Sequence, residues 1–284
     1  MKPANFDYVR PASLQEALQL LDSDGGDVRV IAGGQSLVAM MNLRLARPDV
    51  LVDINQISEL HYHKRDGDTL RIGALARHAE LAASPLVSEM APLMASAYKH
   101  VAHHTVRNRG TLAGNLCHAD PASEMPAVVL ALDGELVLRS ILGERVVAAK
   151  DFFLGPYSTA MEAGELLVEI RVPQRKTGYG FEEVSIRQGD FALTLVASTL
   201  SVQQGKIQAA SIAYAGVGAH AIRVPEVEQI LIGQAPSEAL FAKAAAVAAT
   251  QIEPGSDVHA DSEYRRDLIR TLTPRALHHA AATA

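Results

Sequence analysis

A single cysteine, Cys117, is all the thiol that the 284-residue chain contains. One thiol makes no internal disulfide, no four-cysteine iron–sulfur cluster and no cysteine-rich zinc site. The chain therefore reads as one built for a reduced, cytoplasmic compartment. Any redox chemistry must come from a bound organic cofactor or from another subunit. No apolar run reaches the ~18 residues that a membrane helix needs, so no integral membrane segment is expected. The start, MKPANFDYVRPAS, lacks a basic stretch followed by an apolar one, and no signal peptide is read. Positive charge is in deficit, with 26 Lys and Arg against 32 Asp and Glu. Phosphate affinity comes from Lys and Arg, so nucleic acid is not an expected partner. The rest is an ordinary globular balance, 48% hydrophobic and 20% charged, long enough for one large domain or two to three small ones.

Local patterns divide the chain. Ser13 and Glu16 form a capping-box pattern ahead of Leu14, Ala17, Leu18 and Leu21 at helical spacing. Asp24 to Asp27 reads as the stop. Short apolar strands at 28–31 and 51–54 suggest a small β-α-β lobe, in an N-terminal segment otherwise poor in β signals. Beyond residue 56 the pattern is mixed. Strands are expected at 69–74, 135–138 and 166–172, and helices at 88–101 and 123–132, with an aperiodic stretch at 105–120. Pro173 to Gly178 is the linker candidate. Three strand-like runs follow at 181–186, 193–202 and 207–217, joined by short turns as in an antiparallel meander. Helical segments end the chain at 237–250 and 262–280, the second interrupted by Pro274, which should kink or break it.

Two glycine loops could carry chemistry. Ala32-Gly33-Gly34-Gln35-Ser36-Leu37 follows a strand. Paired glycines allow positive φ and close backbone approach, and successive N–H groups can cradle a phosphate. A tight strand–loop turn is the competing reading. Arg107 to Leu116 carries two glycines among polar side chains and runs into His118-Ala119-Asp120-Pro121-Ala122-Ser123-Glu124. Glu124 suits either the first turn of a helix or the acceptance of ligand hydroxyls. Gly216 to Ala221 fits GxGxxA, but no second parallel strand ending in an acidic residue follows. His100, His103 and His104 have ligand spacing without the Glu of a zinc-protease helix, and a polar helix end is the plainer reading. Glu182 and Glu183 alternate across a strand, so one should face solvent. No nucleophile elbow is present.

Together the loops say more than either alone. AGGQSL, then TVRNRGTLAGNLCHADPASE about 75 residues later, resembles the FAD-binding medium subunit of molybdenum hydroxylases, the xanthine dehydrogenase and carbon monoxide dehydrogenase family. The resemblance extends through Arg187 to Ala192 and the Tyr264–Leu277 tail. The strings VRNRGT and HADPASE look nearest to medium subunits of quinoline-type N-heterocycle oxidoreductases. The resemblance implies an α+β fold. A two-lobed FAD-binding domain of the vanillyl-alcohol-oxidase superfamily would span 1–175, with lobes of about 1–55 and 56–175. A C-terminal domain of a three-stranded antiparallel sheet and a helix bundle would span 176–284.

It also implies site residues. Ala32, Gly33, Gly34, Gln35 and Ser36 match the pyrophosphate loop, lined by Val30, Ile31 and Leu37. Thr111, Leu112, Ala113, Gly114 and Asn115 match the second FAD loop, with Ala113 where relatives usually carry glycine. Glu124 matches an acidic FAD ligand, Val101 and Leu167 apolar contacts, and Phe191 a residue near the isoalloxazine. No catalytic side chain and no metal ligand is implied. A basic residue common near Glu182-Glu183 in relatives is missing, implying a less positive flavin pocket. FAD should be non-covalent, since neither loop's core holds a His, Cys or Tyr. Partners would be a small [2Fe–2S] subunit and a large molybdopterin subunit, in a dimer of heterotrimers that passes electrons to an external acceptor. The alternatives are a stand-alone flavin oxidase or reductase of the same superfamily, for which the ~110 residues after the linker are few, and a scaffold that has lost FAD, which the intact glycines oppose.

Overall fold

The computed structural model describes every residue except 24 and 25. The first lobe contains β1 (Asp7–Val9), α1 (Leu14–Leu21), β2 (Val28–Ile31), α2 (Leu37–Asn42) and β3 (Val50–Asp53), with a parallel sheet in the order β1-β3-β2. Ser13 caps α1 by accepting from the Glu16 N–H at 3.2 Å, and the Glu16 carboxylate reaches back to the Ala12 N–H. Asp24 and Gly25 of the expected stop signal lie outside the described residues. β1 was not legible in the sequence, being three residues long and half exposed.

The second lobe follows with β4 (His63–Asp66), β5 (Thr69–Gly73), six short helices, and β6 (Glu135–Ser140) through β10 (Leu166–Pro173). The helices are α3 (His78–Ala83), α4 (Pro85–Met90), α5 (Pro92–Ala97), α6 (His104–Arg107), α7 (Leu112–His118) and α8 (Glu124–Ala131). Between β6 and β10 lie β7 (Gly143–Ala148), β8 (Phe153–Gly155) and β9 (Ser158–Thr159). Five strands form an antiparallel sheet in the order β4-β5-β10-β6-β7. The helix expected at 88–101 is two, because Pro92 forces Ala91 out of the helical region, to φ −139° and ψ 64°. The aperiodic stretch at 105–120 holds α6 and α7, each too short to show a period.

The remainder contains β11 (Gly178–Ser185), β12 (Ala192–Gln203), β13 (Lys206–Ala215), β14 (Ile222–Arg223), α9 (Pro225–Gln229), α10 (Glu238–Gln251) and α11 (Ser262–Thr283). The meander is antiparallel as expected, but β14 makes it four-stranded; two residues leave no pattern to read. One face of this sheet joins the core of the second lobe through Phe181, Leu195, Ala197 and Ala213. The other packs on α10 and α11 through Val196, Leu200, Tyr214, Phe241 and Leu272. Helix α11 does not end at Pro274. It lies so close to β11 that a Cβ on Gly178 or Gly180 would collide with the Ala280 or Ala276 carbonyl. Tertiary packing on both sides of the proline outweighs its local cost. Among the described residues no helix is long and apolar enough to cross a membrane.

Candidate cofactor site

The two glycine loops are one structure. Residue 33 faces the carbonyl of Arg109 and the Cα of Gly110 with no room for a Cβ. Arg77 fastens the contact from behind, donating to the Arg109 carbonyl and, at 2.5 Å, to Asn55 Oδ1. Asn55 Nδ2 in turn donates to the Ala32 carbonyl at 2.8 Å. Asn55 is oriented by Asp53, whose carboxyl lies below its ordinary value: burial opposes this, but hydrogen bonds from Tyr8 and Asn55 outweigh it. None of these supporting polar residues carries a motif, and sequence reading missed them.

Gly34 has φ +72°, so the turn after β2 needs a left-handed residue. Among the described residues, the N–H groups of Gly34, Gln35 and Ser36 meet no protein acceptor. In the second loop Thr111 caps α7, its Oγ1 accepting from the Gly114 N–H at 3.0 Å. Ala113 is helical, not left-handed, so its methyl group brings no backbone strain.

Behind these loops lies a cleft of about 1670 Å³. Val30, Ile31, Ala32, Gly33, Gly34, Gln35, Ser36 and Leu37 line it, as do Val101, Thr111, Ala113, Gly114, Asn115, Glu124, Leu167 and Phe191. Leu112 does not. It is fully buried in the core on the opposite side of α7, because adjacent helical residues point about 100° apart. Phe191 is 55% exposed at the rim. Glu182 and Glu183 do not line the cleft, and neither faces open solvent as expected. Both faces of β11 are covered: Glu182 pairs with His279 on α11 at 3.0 Å, and Glu183 is buried on the other face. Gly216 and Gly218 do line the cleft, but β14 follows them rather than a helix, so they form no Rossmann turn. His103 and His104 begin α6, and no metal-holding cluster occurs among the described residues.

Two features went unread. Arg265 is buried and donates to the carbonyls of Leu193 and Gly216 and to Asp257 Oδ2, bracing the rim formed by 255–259. The segment 157–167 closes another wall without any motif. The electrostatics are uneven. Burial, then the nearby Asp120, push the Glu124 carboxyl up to about 7. Burial lowers His78 to about 4. Burial pushes Cys117 up to about 12, so it is an inert thiol.

Residues 4–175 match the family described as the FAD binding domain in molybdopterin dehydrogenase. Residues 179–280 match the CO dehydrogenase flavoprotein C-terminal domain. The chain belongs to the FAD-binding medium subunits of the molybdenum hydroxylases. It is 42% identical to the 6-hydroxypseudooxynicotine dehydrogenase complex subunit alpha of Paenarthrobacter nicotinovorans, over 100% of this chain and 98% of that one. Its fold is similar to carbon monoxide dehydrogenase from Hydrogenophaga pseudoflava, at TM-score 0.97 and 38% identity over 100% of both chains. It is similar also to quinoline 2-oxidoreductase from Pseudomonas putida 86, at TM-score 0.95 and 39% identity over 99% of both. The medium subunit is an α+β electron-transfer component of an oxidoreductase, with an FAD-binding domain.

The cleft fits that cofactor. Free N–H groups on a positive-φ glycine turn suit a pyrophosphate. A buried carboxyl suits hydroxyl donors, and the volume exceeds the ~300–1,000 Å³ of an ordinary small-ligand pocket.

Proposed function

We propose that this chain holds FAD non-covalently in the cleft between the glycine loops and the rim at 255–259. Gly34, Gln35 and Ser36 would receive the pyrophosphate on their N–H groups. Thr111, Ala113, Gly114 and Asn115 would line its other side, with Val30, Ile31, Ala32, Gly33, Leu37, Val101 and Leu167 shaping the walls. Glu124 would accept from cofactor hydroxyls, and Phe191 would border the ring. When bound, FAD supplies the capacity to take up electrons and release them to an acceptor. The protein's part is to position that group and keep its polar contacts paired. The division of the chain that goes with this reading is 1–175, in lobes of about 1–55 and 56–175, and 176–284.

The source of electrons is a small subunit with [2Fe–2S] clusters, and the organic substrate is oxidised on a large molybdopterin subunit, in a cytoplasmic dimer of heterotrimers. The observation that carries this reading is the full-length match to chains that are named as parts of complexes, in a protein with a single cysteine. The rim around Phe191 and the 107–118 loop is where the ring edge would open toward the partner. Purification from the native source should bring iron and molybdenum along with this chain. Expressed alone it should bind FAD and hydroxylate no N-heterocycle or aldehyde, with turnover appearing only when both partners are supplied. Equal turnover by the isolated chain would make it a stand-alone flavoenzyme.

A further inference from the structure

Glu183 has no part in the reading above, yet it carries a buried carboxyl oxygen without a partner among the described residues. The side chain is 1% exposed, and the unpartnered atom is Oε2. Strand alternation explains its place. Glu182 faces α11, whereas Glu183 stands beside Leu195, its register partner on β12, on the face that joins the core of the second lobe. On that face α5 packs against β11, while α8, which begins with Glu124, packs against the neighbouring β12 and β13. Glu124 is 3% exposed and lines the FAD cleft. Two buried carboxyls, one from each side of the junction between residues 1–175 and 176–284, thus border the same apolar core, and the charge of Glu124 acts on Glu183.

Among the described residues no Lys or Arg pairs with either carboxyl. His100 Nδ1 lies 3.9 Å from Glu183 Oε1, too far for a hydrogen bond, and burial favours neutral imidazole there. Ser185 favours the ionised form of Glu183. Around Glu124 stand Ser123, Asp120 and the buried Tyr98, whose hydroxyl is 3.5 Å from the buried His78. Arg107 acts on His78, Lys99 and Glu182 act on His100, and Glu182 is itself taken up by His279. Two unpaired charges cannot both be kept beside such a core, so a proton is retained. Burial, then the charge of Glu124, push Glu183 up to about 8, above Glu124 at about 7.

We propose that Glu124 and Glu183 act as one unit that retains FAD best when it carries a single negative charge, with Glu183 a positioning residue that keeps the proton. This rests on the reading of Glu124 as a cofactor contact. With both carboxyls protonated, Glu124 is a poorer acceptor for cofactor hydroxyls. With both ionised, repulsion strains the packing of α8 on the C-terminal sheet beside an already anionic pyrophosphate. FAD affinity therefore passes through a maximum between the two steps, which belong to the pair rather than to either residue.

The test is FAD affinity of the full chain, read from flavin fluorescence between about pH 6 and pH 9, a window spanning both steps. The unmodified chain should lose about tenfold toward each end. Glu183→Gln should keep the acid limb and lose the alkaline one, and Glu182→Gln should keep both. An alkaline limb unchanged in Glu183→Gln, or a flat profile in the unmodified chain, overturns the proposal. Glu124→Gln with unchanged affinity and an intact acid limb would instead overturn the reading of Glu124. Should Glu183→Gln fail to fold, infrared spectra of the unmodified chain still decide. A buried protonated-carboxyl band present near pH 7 and gone near pH 9 supports the pair, and its absence near pH 7 refutes it.

Discussion

Gly33 touches Arg109 backbone to backbone, and this contact joins two loops that are 76 positions apart in the chain. A Cβ at residue 33 would overlap the Arg109 carbonyl, which Arg77 holds in place. Gly33→Ala should therefore separate the loops. Overpacking against backbone costs about 1–3 kcal/mol, and the N–H cradle is displaced with it. Loss of bound FAD with a lowered melting temperature is expected; an alanine variant that retains full flavin absorbance would mean that the loops move freely.

Gly34 differs in kind. Its surroundings are flexible side chains, Ile31 and Val38 at 3.2 Å, but its φ is +72°. Gly34→Val should abolish most FAD binding, since a β-branched residue resists that conformation. Gly34→Asn should retain more, because asparagine tolerates it. Equal FAD retention by the two variants would show that the backbone conformation is not what matters.

The two glycine loops were legible because close backbone approach at Gly33 and positive φ at Gly34 demand glycine, which leaves a visible string, whereas Glu124 was reached through the family resemblance. The helices at 14–21 and 237–250 were legible because caps and apolar spacing agree with their packing. The roles of Arg77, Asn55 and Arg265 were not, because a polar side chain whose partners are carbonyls and side chains distant in sequence looks like any surface residue until the chain is folded. Leu112 was misassigned for a related reason. A motif string includes every residue between its ends, whereas a helix turns each successive residue by about 100°, so part of the string faces away from the cleft. Pro274 shows local preference overruled, since α11 is held by β11 on one side and α10 on the other.

Glu124→Gln keeps shape and removes charge. If its oxygen accepts a cofactor hydroxyl in the dry cleft, FAD affinity should fall by roughly 1.5–3 kcal/mol, the range of a charged hydrogen bond. Titration calorimetry above pH 7 gives the comparison. A drop in melting temperature with affinity unchanged would reduce Glu124 to a residue of the first helical turn.

His78 makes the fold acid-sensitive. It is buried against Tyr98 and Gly110, and burial lowers it to about 4. A base with a depressed folded value is neutral in the native state while the unfolded chain takes up a proton near its ordinary value. Its contribution to stability is complete above about pH 6.5 and is lost as pH falls toward about 4, at up to about 1.4 kcal/mol per unit. The carboxyl pair has the opposite slope, losing stability as pH rises from its ordinary range toward about 8. The difference between the unmodified chain and His78→Phe therefore isolates the histidine. That difference should shrink as pH falls from about 6.5 to about 4; a constant offset in chemical denaturation would show that His78 does not titrate there.

Arg265 offers a test of how the C-terminal part shapes the cleft. It is buried, and its guanidinium joins the Leu193 carbonyl at the start of β12, the Gly216 carbonyl after β13, and Asp257 in the rim. Arg265→Leu fills the volume, takes the guanidinium donor from the Gly216 carbonyl and leaves the Leu193 carbonyl with Thr194 Oγ1 alone, at about 1–3 kcal/mol for a buried acceptor left unsatisfied. The lost ion pair adds little, because Asp257 is half exposed. The larger consequence is positional. Residues 255–259 lose the side chain that ties them to the sheet, so FAD affinity should fall together with the melting temperature. Arg265→Lys, with one ammonium in place of a planar fork, should restore the charge but only part of either loss. Differential scanning calorimetry and FAD titration on the same three proteins separate the effects. A leucine variant that melts lower yet binds FAD normally would place Arg265 in the core of the fold and leave the rim at 255–259 independent of it.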